Sequence, residues 1–323
     1  MVTRIFIDGE VGTTGLQIRS RLAGRSDLAM LSLSDADRKN PDARADLLNE
    51  ADIAILCLPD DAARQAVAMI KNSHTRVIDA STAHRISDGW VYGFPEYDAD
   101  QSTQVANARR VTNPGCYALT SVSILHPLVR AGIMPADWPV TINAVSGYSG
   151  GGKQMIASFE DKNLPDRVSS VFFAYGLNLQ HKHVPEIMHW GGLSHAPLFV
   201  PSVGRYRQGM IVQVPMHLWS LPGQPTAEVV HAALQRHYDG CRFVSVAPMA
   251  ETATMARLDP EKLNGTNELR LHVFCNTENG HAVVAGLLDN LGKGASGQAV
   301  QNLNLMLGVD EETGLSDGTV LPV

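Results

Sequence analysis

The sequence is short of cysteine, of aromatic residues and of positive charge. Cys57, Cys116, Cys241 and Cys275 are the only four cysteines in 323 residues. They include no CxxC pair, so a disulfide framework and a cysteine-built zinc site are excluded, and a reducing compartment is expected. Lys and Arg number 26 against 33 Asp and Glu, a net charge of −7. That is the wrong sign for a protein that coats nucleic acid or an anionic membrane. Nowhere do about 18 apolar residues run together, so no membrane-spanning helix is expected. The opening MVTRIFIDGE does not read as a signal peptide, because Asp8 interrupts a short apolar stretch. What remains is a soluble, cytoplasmic protein that binds a small molecule, with cations for any anionic ligand gathered locally. Its 44% hydrophobic and 18% charged residues are ordinary for a globular chain, and its length allows two domains.

The first third alternates apolar runs with helical patterns. Arg4–Asp8, Leu28–Leu33, Asp52–Leu58 and Val77–Asp79 read as buried strands. Helical spacing falls at Leu16–Leu22 and Asp61–Ile70, and Pro59 stops the third strand. Near-continuous apolar strands separated by helices are what a doubly wound parallel sheet requires, since each crossover lays a helix on one face. From about Thr141 the texture changes. Glycine-rich Ser146–Gly152 and a histidine-bearing segment, Gln180–His189, are joined by alternating runs at Met210–Met216 and Leu269–Phe274. These predict a mixed or antiparallel sheet, and a helix follows at Gly297–Leu307. The fold class is α/β throughout.

Gly9-Glu-Val-Gly12-Thr13-Thr14-Gly15 follows the first strand and opens a helix. Glycines there permit a tight turn and let a phosphate approach backbone N–H groups at the positive end of the helix, so a dinucleotide is expected. Ser34-Asp35-Ala-Asp37-Arg38-Lys39 after the second strand carries both signs. An acid there suits the ribose hydroxyl of NAD and an arginine the 2′-phosphate of NADP, so the motif leaves the choice open.

Asn113-Pro-Gly-Cys116-Tyr117 precedes an apolar-periodic run from Ala118 to Val129. Pro114 and Gly115 make a turn, which puts Cys116 in the first turn of a helix, where orphan amides and the dipole stabilise a thiolate. Cys57, Cys241 and Cys275 read as packing residues. In His181-Lys-His183-Val-Pro-Glu186 two imidazoles share a face if the segment is extended, with a carboxylate behind. That set suits acid/base work for the cysteine or, alternatively, a metal-dependent hydrolase; the acid/base reading leads and no metal is assigned.

Taken together, these pieces resemble the shorter type of N-acetyl-gamma-glutamyl-phosphate reductase, a relative of aspartate-semialdehyde dehydrogenase. The resemblance spans nearly the whole chain. It runs through the glycine loop, Tyr92–Glu96, Asn113–Tyr117, Ser146–Gly150 with Lys153, and His181–His183 with Glu186. It continues into Asp289-Asn-Leu-Gly-Lys-Gly294 and Gln298–Gln301. One departure is that two residues, Ala118 and Leu119, separate Tyr117 from Thr120.

The resemblance implies a Rossmann domain of residues 1–115 and 287–323, completed by the last helix, and a catalytic and oligomer-forming domain of residues 116–286. It implies reduction of N-acetylglutamyl 5-phosphate by NADPH in arginine biosynthesis, in a dimer or tetramer. Cys116 is then the nucleophile and His181 or His183 the acid/base. Candidate cofactor contacts are Gly9, Gly12, Thr13, Thr14, Gly15, Ser34, Arg38, Pro59, Ser81 and Gly294. Candidate substrate contacts are Asn113, Ser146, Lys153, Glu186 and Arg207, with Arg85 and Arg205 as further cations. Competing readings are a reductase of a carrier-protein-linked acyl phosphate and a non-catalytic dinucleotide-binding protein.

Overall fold

The computed structural model describes residues 2–34, 36–38 and 40–315. The chain divides into two compact units. The described residues up to Pro95, with Ala99–Gly115 and those from Ala295 onward, form the first; Glu96–Asp98 and Cys116–Gly294 form the second.

In the first unit the chain runs β1 (Thr3–Asp8), α1 (Thr13–Leu22), β2 (Leu28–Leu31), α2 (Pro41–Glu50), β3 (Ile53–Leu56) and α3 (Asp60–Met69). It continues through β4 (Arg76–Asp79), β5 (Val91–Tyr92), α4 (Gln101–Asn107) and β6 (Arg110–Thr112). The sheet order is β2-β1-β3-β4-β6-β5, with every pairing parallel. Ile5, Phe6 and Ile7, and all four residues of β3, are buried, as strands covered on both faces must be. The expected doubly wound sheet is therefore present. From β1 the chain moves outward to β2, then returns to β3 on the other side, so a crevice opens beyond the carboxyl ends of β1 and β3.

The helix Gly297–Leu307 belongs to this unit and packs against α1 and α4. Amides pin it. Asn302 donates to the Gly93 carbonyl at 2.9 Å, and Arg25 donates to Asn304 at 2.7 Å. A Cβ on Gly93 would lie 2.4 Å from the Asn302 amide nitrogen, so the approach requires glycine.

The second unit holds α5 (Cys116–Arg130), β7 (Thr141–Gly147), α6 (Gly152–Glu160), β8 (Phe172–Ala174), α7 (Val184–Trp190) and β9 (Leu198–Gly204). They are followed by β10 (Met210–His217), α8 (Ala227–His237), β11 (Val244–Val246), β12 (Leu269–Asn276) and β13 (His281–Leu288). The seven-stranded sheet has the order β11-β12-β13-β10-β7-β9-β8. β7 pairs parallel with β9 and antiparallel with β10, so the sheet is mixed. Residues 287–294, expected in the first domain, group with the second unit. β13 is paired along its length with both β10 and β12 and carries the chain through Leu288 before it leaves the sheet.

Helix α5 is buried on nearly every face and packs on β10, β13, α7 and α8. Its polar side chains turn back on its own backbone: Thr120 donates to the Cys116 carbonyl at 2.9 Å and Ser121 to that of Tyr117 at 2.7 Å. The Thr120 methyl occupies the space a Cβ on Gly286 would need. Among the described residues no helix is long and apolar enough to cross a membrane.

Candidate active site

Cys116 is the first residue of α5 and partly exposed. As the opening residue of α5, just past Pro114 and Gly115, it lies at the positive end of the helix. The segment after β13 backs it. A Cβ on Gly294 would lie 2.8 Å from the Cys116 Cβ, so Gly294, a candidate cofactor contact, stands against the cysteine itself. That glycine belongs to a π-helical turn, Gly292–Ser296, a conformation concentrated at functional sites.

The imidazoles gather beside the next residue. The Tyr117 ring is edge-on to His181 at 5.8 Å and to His183 at 5.9 Å, and the two imidazole centroids are 4.8 Å apart. The segment is not extended as expected. Val184 and Ile187 donate to the carbonyls of His181 and His183, because α7 begins at Val184-Pro185, where proline favours helix entry. The resulting turn points the His183 backbone N–H at Nδ1 of His181, 3.1 Å away. That contact makes Nδ1 an acceptor, so in neutral His181 the proton is on Nε2. Nε2 faces the Tyr175 hydroxyl at 3.4 Å.

Burial pushes Tyr175 up to about 12 and Tyr117 well above the ordinary phenol range, with the neighbouring Cys116 adding to both. Both hydroxyls stay protonated near neutral pH and serve as neutral hydrogen-bonding groups. Burial, aided by Asp79 and Asp8, pushes the Cys57 thiol up to about 12, which removes it as a competing nucleophile.

The remaining substrate candidates divide. Ser146 is buried and donates to the Gly147 carbonyl at 3.0 Å. Glu186 is buried in the first turn of α7. Lys153 is exposed on α6, and Arg207 pairs with Glu160, both side chains about two-fifths exposed. Asn113, expected with them, uses its amide inside the first unit: it donates to the Ala295 carbonyl at 3.1 Å and accepts from Asn302 at 3.1 Å. Arg85 donates to the Ala80 carbonyl. Arg205 donates to Ser170 and Val168 and covers the Phe159 ring. Both arginines are thereby tied into their own units. Among the described residues His181, His183 and Glu186 do not bring ligating atoms together as a metal needs.

Sequence reasoning missed two buried groups. Lys293 donates to Glu96 at 2.8 Å, both side chains within 5% of full burial. Asp289 accepts from Gln208, Gly265 and Leu291. Three of the residues lie in the two segments Tyr92–Glu96 and Asp289–Gly294, but nothing local announces that these segments meet.

In the first unit the glycine loop is a cradle that side chains would fill. Gly9 has φ +89°, and a Cβ there would lie 2.3 Å from the Cys57 carbonyl oxygen; one on Gly15 would lie 2.6 Å from the Gly9 oxygen. No side chain caps α1, which starts at Thr13 and Thr14, so its first amides face the loop. A cleft of about 650 Å³ follows, lined by Asp8, Gly9, Glu10, Leu33, Arg38 and Arg44 among others. Ser34 donates to Asp37 at 2.6 Å. Arg44, on α2, holds the buried Asp8 at 2.7 Å. Asp35 and Lys39 lie outside the described residues. Pro59 is the N-cap of α3, while the Ser81 hydroxyl donates to Asp79 at 2.8 Å. These groups fit a dinucleotide with its phosphates on α1. Gly9→Ala is expected to lower the unfolding free energy by about 3 kcal/mol, combining a left-handed backbone with a backbone clash. Urea denaturation measures it; a loss under about 1 kcal/mol would mean the loop can relax.

Comparisons with known proteins agree with this division. Residues 10–105 match the family model described as semialdehyde dehydrogenase, NAD binding domain, and residues 116–290 match semialdehyde dehydrogenase, dimerisation domain. The chain is 55% identical to N-acetyl-gamma-glutamyl-phosphate reductase of Rhizobium meliloti, over 95% of this chain and 99% of that one. It is 54% identical to N-acetyl-gamma-glutamyl-phosphate reductase 2 of Pseudomonas putida, over 94% and 96%. Among solved structures, aspartate semialdehyde dehydrogenase II of Vibrio cholerae superposes with a TM-score of 0.68 at 14% identity, covering 95% and 99%. Aspartate semialdehyde dehydrogenase of Candida albicans, with NADP, gives 0.63 at 12%, with the same coverage. At those identities the structures speak for the fold.

Proposed function

Because the chain belongs to the N-acetyl-gamma-glutamyl-phosphate reductase family of semialdehyde dehydrogenases, we propose that it reduces N-acetyl-L-glutamyl 5-phosphate to N-acetyl-L-glutamate 5-semialdehyde. Phosphate is released, NADPH is the reductant, and the step belongs to arginine biosynthesis in the cytoplasm. The observation that carries the reading is a partly exposed cysteine that opens a helix, with two imidazoles gathered around the ring of the next residue, Tyr117. The dimerisation domain makes the protein a homo-oligomer, in our reading a dimer or tetramer, and the exposed Leu198 and Val200 of β9 offer apolar surface for it.

Cys116 carries the covalent chemistry. Its thiolate attacks the acyl carbon, the carbon–oxygen bond to phosphorus breaks, and phosphate leaves with the electron pair. The thioester that remains on Cys116 is electrophilic enough for reduction, as a carboxylate is not. When bound, NADPH supplies the hydride at that carbonyl carbon. The reduced carbon then expels the Cys116 thiolate and becomes the aldehyde. In this reading His183 takes the thiol proton and, as imidazolium, returns it to the departing sulfur, while the Nε2–H of neutral His181 serves as a hydrogen-bond donor to the oxyanion.

Gly9, Gly12, Gly15, Thr13 and Thr14 would receive the cofactor phosphates. Arg38, on the cleft wall, would meet a 2′-phosphate, which favours NADP over NAD. Ser146, Lys153, Glu186 and Arg207 would surround the substrate. The exposed Arg207–Glu160 pair contributes only about 0–1 kcal/mol, so a substrate carboxylate can replace Glu160 on the guanidinium.

The test is the reverse reaction with N-acetylglutamate semialdehyde, phosphate and each nicotinamide nucleotide. Phosphate-dependent reduction of NADP⁺, well above that of NAD⁺, is expected. A rate indifferent to phosphate would refute the acyl-phosphate chemistry.

A further inference from the structure

Away from Cys116 the second unit holds a cluster with no part in the reaction above. Asp98 comes from the short segment Glu96–Asp98, His126 from the middle of α5, and His237 is the last residue of α8. One ligand atom from each lies within 4.8 Å of the others. We propose that Asp98, His126 and His237 form a binding site for a divalent transition metal of borderline softness, zinc above all. Two imidazoles and one carboxylate are the donor set such ions take, whereas magnesium and calcium prefer oxygen alone.

The rings are held as ligands are held. His126 stacks on the Tyr97 ring, centroids 3.9 Å apart. His237 donates through Nε2 to the Tyr97 carbonyl at 3.0 Å. One residue thus orients both imidazoles, the outer-shell support that metal-binding histidines usually have. Nε2 of His126 is buried and makes no hydrogen bond; Oδ1 of Asp98 is 3.4 Å away. A buried ring nitrogen without a hydrogen bond is costly as a structural feature alone, and a metal ion bridging it to the carboxylate removes that cost.

Arg130, one turn beyond His126, caps Asp98 through the same Oδ1. A dication and this guanidinium compete for one oxygen. Arg130 is 57% exposed, so it can swing into solvent when the ion enters. The bound ion would tie Glu96–Asp98 to α5 and α8, giving the site a structural role.

The full-length protein, stripped with EDTA, is titrated with Co²⁺ and followed by its visible d–d absorption. One Co²⁺ per chain is expected, without the near-ultraviolet thiolate band that would place the ion on a cysteine. H126Q and H237Q should lose the absorption. Arg130→Gln should bind about five- to tenfold more tightly, since a competing exposed ion pair is gone; being a gain, that result is immune to misfolding. Zn²⁺ should raise the unfolding temperature of wild type and R130Q but not of H237Q. The proposal is overturned if wild type and R130Q take up no Co²⁺ at millimolar concentration, or if the absorption survives both histidine variants.

Discussion

Cys116→Ser should lose roughly 10³-fold or more in kcat while still binding NADPH. A serine hydroxyl at the same helix start stays protonated near neutral pH, because the first-turn amides cannot offset its much higher intrinsic pKa. An ester formed there would also be a poorer hydride acceptor than a thioester. The glycine loop lies in the other unit and is built from residues 9–15, so cofactor affinity should hold within about twofold. Initial rates with the semialdehyde and phosphate, alongside fluorescence titration of NADPH, separate the two effects. Retained turnover in the serine variant would end the covalent account; joint loss of binding and turnover would indicate damage to the fold.

Replacing Lys293 by Met should destabilise the protein by about 3–5 kcal/mol. The ammonium is fully buried, bonded to Glu96 at 2.8 Å and 5.4 Å from the Phe243 ring centroid. Removing it takes the bonded ammonium from a carboxylate held in a low-dielectric interior, and that loss outweighs any attraction the pair contributed. Lys293→Met with Glu96→Leu should therefore be more stable than Lys293→Met alone. Because Lys293 precedes the glycine that backs Cys116, kcat should fall in the single variant as well. Urea denaturation of the single and double variants tests this, and a single-variant loss under about 1 kcal/mol would show that the pair contributes little.

What the sequence revealed was what local rules determine. Pro114-Gly115 ahead of an apolar-periodic run put Cys116 at a helix start, and glycines between a buried strand and a helix marked the loop at Gly9. The two histidines were found as a pair, but their geometry was not: Pro185 pulls the chain into α7 and makes a turn of what alternation would have left extended. The Thr120 hydroxyl turns onto its own helix and donates to the Cys116 carbonyl. The Glu96–Lys293 pair joins residues 197 positions apart, and Arg44 crosses from α2 to Asp8 at the end of β1. No periodicity or spacing encodes such meetings; they follow from how the sheets are wound. The parallel neighbours β7 and β9 were hidden for the same reason, since only the crossover between them fixes their pairing.

The central claim is a thioester on one sulfur. Protein mixed with N-acetylglutamyl 5-phosphate and no nicotinamide nucleotide, quenched in acid and analysed by intact and peptide mass spectrometry, tests it directly. The account predicts an N-acetylglutamyl adduct on the Cys116 peptide with release of one phosphate per site. An unmodified Cys116 alongside phosphate release that waits for NADPH would contradict it.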